Sequence, residues 1–159
     1  MQLPDPAAPA YTGEGPHRAV VGEYIGPGAK GVVHITPSTF SLPEAWRALN
    51  AKRTEPDPSR AELIVCLSQV EEQGDTRIGT CTYDTGKVGV YPAFYTIDVY
   101  AARAGRRVAL LKMGGDESAP MSCPPSLMTG ADEGFQVAQG ISDAAFASRL
   151  RPLITGLAH

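Results

Sequence analysis

The apolar positions of this chain fall into short, separated runs whose spacing predicts strands more often than helices. Arg18 to Ile25 reads as a first strand, closed by Gly26-Pro27-Gly28, and residues 32–35 read as a second. Ser41-Leu42-Pro43-Glu44 opens a short helix near 42–50, where Ser41 can cap, Pro43 suits the first turn, and Trp46 and Leu49 share one face. Pro56 and Pro58 limit its length. Ala61 to Val70 holds the densest run, Leu63-Ile64-Val65-Cys66-Leu67, apolar on both faces and therefore expected in the middle of the sheet. Gln73-Gly74 then turns the chain into residues 77–83, a register that sets Cys66 against Cys81. Between Tyr91 and Ala102, Tyr95, Ile97 and Val99 alternate with Thr96, Asp98 and Tyr100, and a turn at Ala104-Gly105 leads into Arg107–Met113 as a second hairpin. Residues 114–140 lack periodicity and read as a long loop, which in a compact domain is functional or pinned. Ser142 caps a last helix with Phe146, Leu150, Leu153, Ile154 and Leu157 on one face and a kink expected at Pro152. The pattern adds up to an α+β fold: a mixed or mainly antiparallel sheet of about five strands, with the C-terminal helix packed on one face.

Length and composition limit what this fold can serve. The 159 residues, 43% of them apolar, suffice for a single domain over 17–159, preceded by a proline-rich stretch, 1–16, that reads as a disordered linker. Such a linker is expected to have joined the fold to a removed signal or a membrane tether, the alternative being a ragged natural start. Only 19% of residues are charged, the net charge is −3 and the cations are scattered, so no nucleic-acid partner is expected. No apolar run approaches the ~20 residues of a bilayer-spanning helix.

Candidate chemistry is sparse. Cys66, Cys81 and Cys123 allow a Cys66–Cys81 bridge, favoured by the hairpin register, or a Cys81–Cys123 bridge that pins the long loop; three buried thiols are the third option. Neither a CxxC pair nor a Cys/His cluster is present, so neither metal nor cofactor is expected. His17, His34 and His159 stand in no catalytic frame, and there is no GxSxG elbow. Gly26 to Gly31 imitates a phosphate loop but has the wrong spacing, and its Lys30 is followed by glycine. Glu71, Glu72, Asp75, Asp84 and Asp98 form no pair that spacing establishes. Tyr83, Tyr91 and Tyr100 give the later strands an aromatic character suited to an interaction surface, although such residues are more often strand formers packing across the sheet.

In order and spacing, several segments resemble a group of uncharacterised extracytoplasmic domains from GC-rich bacteria. They are Gly15-Pro16-His17, Leu42-Pro43-Glu44-Ala45-Trp46, Glu62 to Cys66, Cys81-Thr82-Tyr83, Val99 to Arg106 and Cys123-Pro124. The Ala104-Gly105 turn departs from the threonine-glycine of that pattern. A more distant similarity is to small α+β domains of periplasmic lipoproteins and TolB-like amino-terminal domains. The resemblance implies a compartment and a fold, not an activity. The resulting expectation is a non-enzymatic extracytoplasmic domain, secreted or tethered, that binds a partner protein or an envelope component. The alternatives are a small hydrolase with its site near the 114–140 loop, or a subunit of a larger assembly.

Overall fold

A computed structural model describes residues 3–27, 33–37, 41–72, 74–125 and 136–158. The expected turn residues Gly28 and Gln73, and the 126–135 part of the expected long loop, lie outside these residues. The strands are β1 (Ala19–Pro27), β2 (Val33–Pro37), β3 (Leu63–Glu72), β4 (Gly79–Tyr83), β5 (Gly86–Tyr91), β6 (Ala93–Ala101), β7 (Arg107–Gly114) and β8 (Val137–Ala138). The helices are α1 (Ala119–Ser122) and α2 (Asp143–Thr155). One sheet has the order β2-β1-β3-β6-β7, and a smaller one the order β4-β5-β8. The first is mixed, because β1 runs antiparallel to β2 and parallel to β3, Ala19 lying beside Leu63 and Glu23 beside Leu67. The α+β class and the two-faced central strand are as the apolar pattern predicts: Leu63, Ile64, Val65 and Cys66 are all buried.

The chain comprises two compact units. Unit 1 contains Met1–Gln69, Thr96–Leu111 and Asp143–His159; unit 2 contains Val70–Tyr95 and Lys112–Ser142.

In unit 1 the proline-rich start is packed, where the sequence suggested a disordered linker. Ala8 and Tyr11 are buried, and the Asp5 amide donates to the Ala102 carbonyl at 3.0 Å. Ala8 joins Val20, Ala48, Ala61, Ile64, Cys66 and Ala102 in one apolar cluster, against which Leu3 and Tyr100 rest. Leu3, Ala8 and Tyr11 thus find apolar surface whose burial offsets the ordering cost of the segment. The helix expected near 42–50 shrinks to a single 3₁₀ turn, Glu44–Trp46. It stops because the chain pairs with β1 instead: the Ala48 amide donates to the Ala19 carbonyl at 2.9 Å, and Arg47 turns extended. A second 3₁₀ turn, Pro58–Arg60, is capped by the Asp57 carboxylate, which accepts from the Ser59 amide.

Helix α2 buries Phe146, Ala147, Leu150 and Ile154, and continues through Pro152 to Thr155. Leu157 falls beyond its end and is 59% exposed, so the apolar stripe is one residue shorter than its spacing suggested. The end of α2 is joined to the chain start, where the Gly15 and His17 amides donate to the Gly156 and Ile154 carbonyls. A Cβ at Gly15 would run into the Ile154 carbonyl oxygen, so only glycine permits this approach.

Candidate functional site

Unit 2 is built around a small hairpin that the sequence pattern hid. β4 pairs with β5 through the two-residue connection Asp84-Thr85, and Gly86 follows with φ of 143°, a backbone state that side chains disfavour. Two glycines in β5 break its alternation, but Val88 and Val90 still point inward. Cys81 stands opposite Val88 and closes a cluster with Val90 and Val137, flanked by Tyr83, Ala119 and Cys123.

Here the disulfide joins Cys81 to Cys123, with their Cα atoms 5.6 Å apart, and the favoured Cys66–Cys81 pairing is corrected. The reason is topological. β4 belongs to the smaller sheet with β5, not beside β3, so the expected register of Cys66 against Cys81 never forms.

The expected 114–140 loop is accordingly pinned rather than free, as far as it is described. α1 seats against Gly79, where a Cβ would collide with the Ala119 methyl. The Tyr83 hydroxyl donates to the Pro124 carbonyl at 2.7 Å, and the Gly140 amide donates to Ser122 Oγ at 2.9 Å. Asp116 accepts from the Ser142 amide and hydroxyl at 2.6 and 2.7 Å, bonds that hold its carboxyl below the usual range. No pattern in the sequence marks Asp116 and Ser142 as partners.

Tyr95 anchors the other flank, its hydroxyl donating to the Gln139 carbonyl at 2.7 Å. Burial first, and the nearby Glu117 carboxylate second, push its phenol up to about 12. The folded state thus favours the neutral phenol. Its contribution is fully present below the ordinary tyrosine value of about 10 and fades as pH rises from there through about 12. Tyr95→Phe is expected to lower stability by about 1 kcal/mol at neutral pH and to flatten that alkaline decline. Urea melts of both proteins at neutral pH and between pH 9.5 and 11.5 check this; parallel pH curves would contradict it.

Of the three tyrosines read as an interaction surface, Tyr83 and Tyr91 belong to unit 2 and Tyr100 to unit 1. Tyr83 is bonded as described, and Tyr91 lies over Gly89 beside the Arg77 stem, both in unit 2. Tyr100 rests on the Ala8–Ile64 cluster of unit 1. Unit 2 also exposes Ile78 (41%) and Met121 (70%).

In unit 1, His17 is held between structural partners. His17 is 1% exposed, its Nδ1 3.2 Å from Glu62 Oε2 and its Nε2 3.1 Å from the Gly156 carbonyl oxygen. A carbonyl only accepts, so Nε2 carries a proton there. Both ring nitrogens are thus committed, to an acid and to main chain, and neither reaches a nucleophile. Tyr11 meets the ring edge-on, with centroids 4.5 Å apart, and donates to the Leu153 carbonyl. The side chain of His34 and residue His159 lie outside the described residues.

The remaining thiol, Cys66, is buried, and desolvation first and Asp98 second push it up to about 12. Such a group stays protonated at neutral pH and is a poor nucleophile.

A shallow cavity of about 300 Å³ lies between residues 41–43 and the start of α2, lined by Leu42, Pro43, Ala144 and Ala147. Its polar edge is Ser41, whose hydroxyl donates to Asp143 Oδ2 at 3.1 Å. On the same helix Arg151 lies over the Trp46 ring at 5.2 Å, a contact absent from the sequence reading. Among the described residues no three His, Cys, Asp or Glu side chains converge as a metal site, and no helix is long and apolar enough to cross a membrane.

Fold and sites together define a disulfide-bearing α+β protein. No model of a known protein family, no curated protein and no solved structure matches the chain.

Proposed function

We propose that this protein is a non-enzymatic binding module that works outside the cytoplasm, secreted or tethered, on a partner protein or envelope component. The observation that carries the reading is the Cys81–Cys123 bridge, set in the buried cluster of unit 2. Disulfides of this structural kind persist in oxidising compartments and are rare where thiol reductants are abundant. The commitment of both His17 nitrogens to structural partners supports a binding rather than a catalytic role.

Alkylation without reductant tests the compartment. In protein taken from its native host and unfolded in denaturant, mass spectrometry should find one labelled cysteine, Cys66. Labelling of all three would discard the extracytoplasmic reading. The same reagent offered to the folded protein at pH 8 should leave Cys66 unmodified, because a thiol near 12 is ionised only to about one part in ten thousand there. Rapid native labelling of Cys66 would contradict its burial.

A further inference from the structure

We propose that the Arg107–Leu111 part of β7 receives an acidic, extended segment of a partner protein as an added strand. The inference rests on the binding-module reading and names the chemistry of its partner. β7 ends the strand order of the larger sheet, and among the described residues no strand pairs with its outer side. An edge strand presents a row of main-chain donors and acceptors that another strand can complete.

Charge selects the occupant. Between Asp98 and Asp116 the chain carries Arg103, Arg106, Arg107 and Lys112 and not one acid, in a protein of net charge −3. Arg103, Arg106 and Arg107 are exposed, although Arg107 also donates to the buried Asp98 carboxylate at 3.0 Å. Leu110, 49% exposed on the same strand, offers an apolar contact for one incoming side chain. A second copy of this chain is a poor occupant, since it would bring the same acid-free run of Arg103, Arg106, Arg107 and Lys112 up to this edge. An incoming strand that alternates acidic and β-branched residues satisfies both features at once.

The test uses the full oxidised chain and a fluorescent heptapeptide of sequence Thr-Glu-Val-Asp-Val-Glu-Thr. Two further peptides serve as controls, one with lysine in place of each acid and one N-methylated at alternate amides to block pairing. The acidic peptide should bind and slow amide exchange at residues 107–111, and both control peptides should fail. Arg103→Glu with Arg106→Glu should weaken binding about tenfold or more, and Leu110→Lys should also weaken it. Equal binding of the N-methylated peptide, or no binding by the acidic one, overturns the proposal without touching any folding question. So does tighter binding to phosphatidylglycerol vesicles through the same arginines, which would assign the cations to a membrane surface. The cysteine count stands apart, so failure of the strand and failure of the compartment are read separately.

Discussion

Replacing Cys81 and Cys123 together by alanine is expected to lower the stability of unit 2 by about 4 kcal/mol. The bridge closes a ring over a sequence separation of 42, and the chain-entropy model gives this magnitude for a loop of that length. The native side changes less, because alanine keeps the Cβ of each residue in the Val88–Val90–Val137 cluster and removes only sulfur. The loss should be local first. Amide exchange should speed up in β4 and β5, and the Tyr83–Pro124 bond, which lies one residue from Cys123, should loosen with it. Reduction of the wild-type protein should reproduce the effect. An unchanged melting curve with unchanged exchange in residues 79–91 would show that the other anchors of this segment suffice alone.

His17→Leu should cost about 3 kcal/mol, chiefly through what it leaves behind. Leucine fills much of the ring's volume, but the Gly156 carbonyl loses its donor in a site that is 1% exposed, and Glu62 loses its ring partner. An orphaned buried acceptor costs roughly 1–3 kcal/mol, and a broken buried pair more. The second figure is discounted here, since the Glu62 side chain is 21% exposed and keeps the Arg18 amide at 3.1 Å. The effect should appear as a lower denaturant midpoint at unchanged slope. A loss under about 1 kcal/mol would mean the ring acts only as filler.

The sequence made the main sheet legible because its strands carry strong apolar signals. Leu63 to Leu67 cannot be solvated on either face, and Tyr95, Ile97 and Val99 alternate cleanly, so both strands appear where spacing put them. β5 was invisible for a local reason: Gly86 and Gly89 interrupt the alternation of Gly-Lys-Val-Gly-Val-Tyr, although those glycines make the turn and admit the Tyr91 ring. Missing β5 carried the cysteine register with it, since without that partner the only strand available to Cys81 was β3. The helix near 42–50 is realised only as the Glu44–Trp46 3₁₀ turn, because a main-chain bond from Ala48 to β1 competes with the local helix signals. The sites depended most on distant partners. His17 and Glu62 lie 45 residues apart and His17 and Gly156 139 apart, separations that no local motif encodes.

The placement of sulfur gives each unit its own chemical clock. Cys66 in unit 1 reacts only when its strand is laid open, whereas the Cys81–Cys123 link in unit 2 joins a buried sulfur to a half-buried one at the flank of its cluster. Alkylation timed in one aliquot and reduction timed in another therefore report on unit 1 and unit 2 separately. Their ratio tells whether the protein comes apart in one step or two.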